Sequence, residues 1–139
     1  MPLQMNAEEL TAYLAEIFPQ VKGDFAIDRL AEMEVDMRLL TADRHLRPGG
    51  TVSGPSMFAL ADVCVYAAVL AMIGRQALAV TTSCSLDFMR KPENGKDMIG
   101  HCRLLKLGRT LAVGDVLLFS EGMDKPVARA SMTYSIPPK

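Results

Sequence analysis

The 139-residue chain reads as one α+β domain, an antiparallel β-sheet wrapped around a long central helix. Three observations predict this. The run from Pro55 to Ile73 is small and apolar throughout, with Asp62 as its single charge. Segments of period-two alternation stand on both sides of that run, one before it and four after it. Half the residues are apolar, enough at this length for one core, with no repeat or linker to divide residues 1–139.

Residues 6–18 form an amphipathic helix. Asn6 and Glu9 have the spacing of a capping pair, and Leu10, Tyr13, Leu14, Ile17 and Phe18 fall on one stripe. Pro19 ends it. From residue 33, Met33, Val35, Met37 and Leu39 face one way while Glu34, Asp36 and Arg38 face the other, the mark of a half-buried strand. A polar, glycine-rich loop from Thr41 to Ser53 leads into the apolar helix. After it, Val80, Thr82, Cys84, Leu86 and Phe88 alternate with Thr81, Ser83, Ser85 and Asp87, and Pro92-Glu93-Asn94-Gly95 makes a turn. Met98 to Leu107 and Leu111 to Phe119 follow, joined by a corner at Leu107-Gly108-Arg109. The last strand alternates Ala128, Ala130, Met132, Tyr134 and Ile136 with Arg129, Ser131, Thr133 and Ser135.

Composition excludes several classes. A net charge of -1 gives no electrostatic footprint for nucleic acid. Cys64, Cys84 and Cys102 are odd in number and widely spaced, so they read as small buried hydrophobes in a reducing compartment. His45 and His101 have no acidic or cysteine partner at ligand spacing, and no metal is expected. The N-terminus has Glu8 and Glu9 and no basic region, so no secretory signal is expected, and the cytoplasm is the default. The run 55–73 has the length of a membrane span. Asp62 near its centre would cost roughly 2.5–3.5 kcal/mol there, and no basic cluster flanks it. A buried core helix is the expectation, with no membrane partner.

That leaves the carboxylate to be explained. An ionised acid among apolar side chains is costly unless it is paired. One reading is a structural acid bonded to a nearby hydroxyl such as Tyr66, one turn on; the other is a catalytic group. The preceding segment, Arg47-Pro48-Gly49-Gly50-Thr51-Val52-Ser53-Gly54-Pro55, is open to two readings as well, an ordinary loop with a good cap or the frame of an anion site. Ser53 is a plausible N-cap and Pro55 suits the first helical turn. The glycines allow close approach to a helix end whose free N–H groups and partial positive charge suit a phosphate or a developing oxyanion.

Gly50-Thr51-Val52-Ser53-Gly54-Pro55 followed by Asp62, in this order of elements, resembles the hotdog-fold acyl-CoA thioesterase superfamily. The branch it resembles is the phenylacetate-degradation, 4-hydroxybenzoyl-CoA thioesterase-like one. That family's loop reads roughly Asn-x-x-Gly-x-x-His-Gly-Gly with an Asp nine residues after the His, and Asp62 lies nine residues after Ser53. Lys106-Leu107-Gly108-Arg109 and Arg90-Lys91-Pro92 are similar to the family as well. The resemblance implies that the Gly54 N–H meets the thioester carbonyl, that Asp62 is general base or nucleophile, and that Thr81 orients water or the carboxylate. It implies hydrolysis of a small or aromatic acyl-CoA, with no cofactor beyond the coenzyme A of the substrate. It also implies a homodimer, paired into a dimer of dimers. The chain departs from the pattern at two places: the family His is Ser53, and the family Asn is Arg47. Ser53 keeps a hydrogen-bonding group at the loop, and Arg47 suits a substrate carboxylate or phosphate. Arg90, Lys91, Lys106 and Arg109 suit the phosphates of a CoA tail, or serve as charged gatekeepers at strand ends.

Gly54 and Asp62 are separated by roughly 12 Å of helix axis, too far for one thioester to touch both within a chain. Two such helices packed antiparallel would bring Gly54 of one beside Asp62 of the other, so two sites shared across a dimer interface are expected. The same fold also hosts dehydratases that pair a loop His with a helix acid, a role for which His45 is the candidate. A third reading is an acyl-CoA-binding module without chemistry.

Overall fold

A computed structural model describes residues 2–138. Helix α1 (Ala7–Ile17) starts at Asn6, whose side chain accepts the Glu9 N–H while the Glu9 carboxylate accepts the Asn6 N–H, the reciprocal box the sequence predicts. Leu10 and Tyr13 are its buried residues. Pro19 opens a short 3-10 turn (Pro19–Val21) in place of a further helical turn.

Strands β1 (Phe25–Ala31) and β2 (Glu34–Leu39) form the first hairpin. The period-two reading finds β2 and misses β1. A bulge between Ile27 and Arg29 shifts the phase of the side chains, so Phe25-Ala26-Ile27-Asp28-Arg29-Leu30-Ala31 shows no continuous alternation. Met33 lies outside the strand expected to hold it. It occupies the hairpin turn at φ 63°, and its carbonyl accepts the Leu104 N–H at 2.8 Å. Val35, Met37 and Leu39 are buried as the alternation requires.

After a 3-10 turn (Asp43–His45), helix α2 runs Gly54–Ile73. Strands β3 (Val80–Phe88), β4 (Met98–Leu107), β5 (Leu111–Ser120) and β6 (Ala128–Ser135) follow. The six strands form one antiparallel sheet in the order β1-β2-β4-β5-β6-β3. This is the hotdog arrangement. β1 and β3 are its edges.

Helix α2 lies against β2, β3, β4, β5 and β6. By length and composition it could cross a membrane, but here most of it is buried. Ala61, Ala67, Ala68 and Ala71 let it sit low on the sheet, and Leu60, Val65, Leu70 and Met72 fill the space between. The sheet matches this with glycine where the helix comes closest. A Cβ on Gly114 would stand 3.3 Å from both Val65 methyls, and one on Gly100 would stand 3.4 Å from Cys64 Sγ and 3.2 Å from Leu118. Cys64 and Cys102 are buried as expected, but Cys84 is exposed, because its strand is an edge.

The hairpin is tied to the rest of the sheet by charge. Arg38 reaches Asp28, Asp97 and Glu121 at 3.1, 3.1 and 2.7 Å, and burial of its side chain is only partial. Those carboxylates hold its guanidinium well above its ordinary pKa, with hydrogen bonds to Asp28 and Glu121 as the leading causes. On β2, Asp36 bonds Arg29 at 2.9 Å and the His101 ring of β4.

Candidate active site

The loop before α2 is built by its own backbone. Leu46 and Val52 form an isolated antiparallel bridge, the Arg47 N–H donates to Thr51 O at 2.9 Å, and the Gly50 N–H donates to Arg47 O at 3.0 Å. Turning the chain inside that bridge requires Gly49 at φ 101° and Gly50 at φ 87°, where a side chain would be strained. The Ser53 N–H then donates to His45 O at 2.8 Å, which fixes where the helix begins.

Ser53 is the N-cap. Its hydroxyl accepts the Ser56 N–H at 3.2 Å and donates to the Ser56 hydroxyl at 3.0 Å. The Gly54 N–H has no acceptor among the described residues, and Pro55 contributes no N–H. The helix end therefore offers an unpaired donor beside its partial positive charge. The half-exposed Phe88 ring covers Gly54 closely, since a Cβ there would meet its Cζ at 3.4 Å.

Two turns along the helix, half-buried Asp62 has found partners other than Tyr66. The Thr81 hydroxyl donates to Asp62 Oδ1 at 2.5 Å, and the Tyr134 hydroxyl donates to the same oxygen at 2.7 Å. Tyr134 also lies 3.0 Å from the Asp62 carbonyl oxygen. Tyr66 instead donates to Ala77 O at 2.6 Å and stacks on the Tyr134 ring, with centroids 5.9 Å apart and planes at 22°. Burial, and next the charge of Asp62, push the Tyr134 phenol far above its usual pKa, so it is a neutral donor at every working pH. Oδ2 accepts no hydrogen bond from the described residues. Thr81 reaches Asp62 through a bulge between Thr81 and Ser83, which breaks the simple alternation expected of β3.

Asp62 and Thr81 are thus brought together, and Gly54 stands at the start of the same helix. The cations are placed elsewhere. Arg47 is exposed on the loop and Arg90 donates to Pro126 O at 2.8 Å. Lys106 and Arg109 are exposed at the β4–β5 corner, and Arg109 borders a cavity of about 670 Å³ with Met72 and Ile73 at the far end of α2. His45 is buried, with Nδ1 accepting the Ala42 N–H at 2.9 Å and Nε2 facing Asp24 at 3.3 Å. Its ring holds the loop, and among the described residues no hydrogen bond joins it to Asp62. Tyr134 belongs to no motif in the sequence. The signal that marks it is its place in the inward-facing stripe of the last strand, which buries a phenol whose hydroxyl needs a partner.

The thioesterase superfamily model matches residues 49–127, which contain the loop, Asp62 and Thr81. A candidate thioesterase of Silicibacter sp. TM1040 is similar at 70% identity, covering 99% of this chain and 96% of that one, with a TM-score of 0.94. A point mutant of the phenylacetic acid degradation protein PaaI from Thermus thermophilus is 28% identical over 86% of this chain and 99% of that one, with a TM-score of 0.73. A Streptococcus mutans UA159 protein bound to acetyl CoA shares the fold, at 24% identity over 86% of this chain and 93% of that one and a TM-score of 0.73. Among curated proteins there is no sequence match. On the strength of that model and of the 70% relative, the chain belongs to the thioesterase superfamily and is a thioester hydrolase.

Proposed function

We propose that the chain hydrolyses acyl-CoA thioesters with a small or aromatic acyl group. The observation that carries this reading is the half-buried Asp62 carboxylate, bonded through one oxygen and open at the other, on the helix whose N-terminus holds the unpaired Gly54 N–H. The Gly54 N–H polarises the thioester carbonyl and stabilises the oxyanion that forms there. Asp62, from the other subunit, takes the proton of an attacking water or attacks the carbonyl itself. Coenzyme A leaves as the thiol and the acyl group as the free acid.

The shared site rests on helix geometry. Gly54 and Asp62 lie in one unbroken helix, eight residues and therefore about 12 Å apart. The β3 edge supports a second copy, because Val80, Phe88 and Met89 on or beside it are exposed, as is Leu78 just before it. A homodimer, paired again into a tetramer, is the assembly this reading takes.

For the acyl group, a cavity of about 180 Å³ between α1 and β1 is lined by Leu14, Phe18, Phe25, Ile27, Met37 and Val63. Val63 follows Asp62 in the chain, and Phe18 meets the Tyr66 ring edge-on at 6.5 Å. An apolar cavity of roughly 150 Å³ holds benzene, so this one suits a single ring or a short chain. Lys106, Arg109 and Arg47 are exposed cations for the phosphates of the CoA tail.

The decisive experiment is thiol release from a panel of acyl-CoAs by wild type and Asp62→Asn. Turnover should fall by about 10²–10⁴-fold in the variant, the range for loss of a general base. Binding of the panel without Asp62-dependent turnover would overturn the catalytic role of Asp62.

A further inference from the structure

Two donors converge on one oxygen of Asp62, and both lie outside the loop motif and the helix, one on β3 and one on β6. Thr81 and Tyr134 both donate to Oδ1, at 2.5 and 2.7 Å, and Oδ2 is left without a donor among the described residues. The arrangement is rigid. The Tyr134 ring is buried on β6 and stacked on Tyr66, which is tied to Ala77 O at 2.6 Å. A hydroxyl that only needed a partner would be satisfied by the Asp62 carbonyl oxygen, 3.0 Å away. Instead it spans the backbone and the side chain of the same residue, which locks the carboxylate to its own helix turn.

We propose that Tyr134 is a positioning residue for the hydrolysis, fixing the Asp62 carboxylate through Oδ1 so that Oδ2 is the oxygen that acts on the thioester or its attacking water. The inference rests on the reading of Asp62 as base or nucleophile. Two oxygens with different duties explain why a carboxylate on this helix has hydroxyl partners and no cation. Hydroxyls hold it in place without neutralising it, whereas an Arg or Lys would compete for the oxygen that reacts. A carboxylate free to rotate about its last torsion would present either oxygen in many orientations, and catalysis depends steeply on such alignment.

The test is the kinetics of Tyr134→Phe, which removes the hydroxyl and keeps the stacked ring. Loss of a hydrogen bond to a charged group predicts a fall of about 10–100-fold in kcat. KM should stay within about threefold, because the hydroxyl does not touch substrate. Thr81→Val, which removes the second donor, should fall like Tyr134→Phe, and Thr81→Ser, which restores a hydroxyl there, should recover most of that loss. Tyr134→Phe added to Asp62→Asn should do no further damage, since both act through one carboxylate. Full kcat in Tyr134→Phe would overturn the proposal, as would a loss that persists undiminished in the Asp62→Asn background. A fall in Tm of more than roughly 8 °C accompanying the loss would make Tyr134 a structural residue and overturn it too. Wild-type turnover in Asp62→Asn alone would instead overturn the reading of Asp62, a separate result.

Discussion

At the scale of single residues, the loop before α2 does its work through backbone and hydroxyl groups. Where the family pattern has a His, Ser53 caps the helix, and the loop is held by the Ser53 N–H on the His45 carbonyl and by the His45 ring on the Ala42 N–H. Two residues eight positions apart thus hold the loop and cap the helix. Ser53→Ala should therefore cost about 1 kcal/mol, the usual loss for an N-cap. In a chain of this size that is roughly 3–5 °C in Tm by calorimetry. An unchanged Tm would show that the Ser56 hydroxyl takes over the cap. The Asp62 environment was half legible in the same way. The motif spacing picks out Asp62, and the resemblance to the family adds Thr81, but nothing local to residue 62 points to Tyr134, which is brought to it from 72 positions away.

At the scale of elements, the close approach of helix and sheet decides what each strand can hold. β5 presents Ala112, Gly114, Val116 and Leu118 inward, and α2 answers with small or β-branched residues. Gly114→Val would drive two methyl groups into Val65, already 3.3 Å from where a Cβ would stand. Overpacking of this kind should cost about 1–3 kcal/mol, read from urea denaturation, with Leu105→Ala on the exposed face as the control. Equal midpoints for the two variants would mean that the helix shifts freely. Period and caps mark the elements in the sequence, except where a bulge breaks the phase. The bulge in β1 hid a whole strand. The one in β3 disturbed the expected alternation and aimed Thr81 at Asp62.

At the scale of the whole molecule, charge and edges set two further expectations. Burial works to raise the Asp36 carboxyl, but hydrogen bonds from Arg29 and His101 outweigh it and hold the group below the usual carboxylate pKa. A lowered pKa in the folded state gives stability that is fully present above the unfolded value, near 3.9, and lost as pH falls through the folded one. Thermal scans should therefore show Tm falling steeply as pH drops from about 5 to 3, and less steeply in Asp36→Asn. Parallel slopes for the two proteins would remove Asp36 from the account. The edge strand leads to the other expectation. Leu78→Lys with Val80→Lys should shift sedimentation toward monomer and take hydrolysis with it, because the proposed site draws Gly54 and Asp62 from different copies. A monomer with full activity on dilution would sink the shared site.

Taken alone, the sequence determined helix α1, the order of the elements from β2 onward, the central helix with its one acid, the capped glycine-rich loop and the family. These are written in local spacing: a period of two, an apolar run, a nine-residue interval from Ser53 to Asp62. Only the tertiary structure decided that β1 completes a six-stranded sheet, that Cys84 is exposed, and that Arg109 lies at the far end of α2. It also decided that Asp62 answers to Thr81 and Tyr134 and not to Tyr66. The reason is physical. Spacing along a chain fixes which face a residue shares with its near neighbours, but the partner of a buried carboxylate is chosen by how the sheet folds across the helix, and that brings together residues with no local relation.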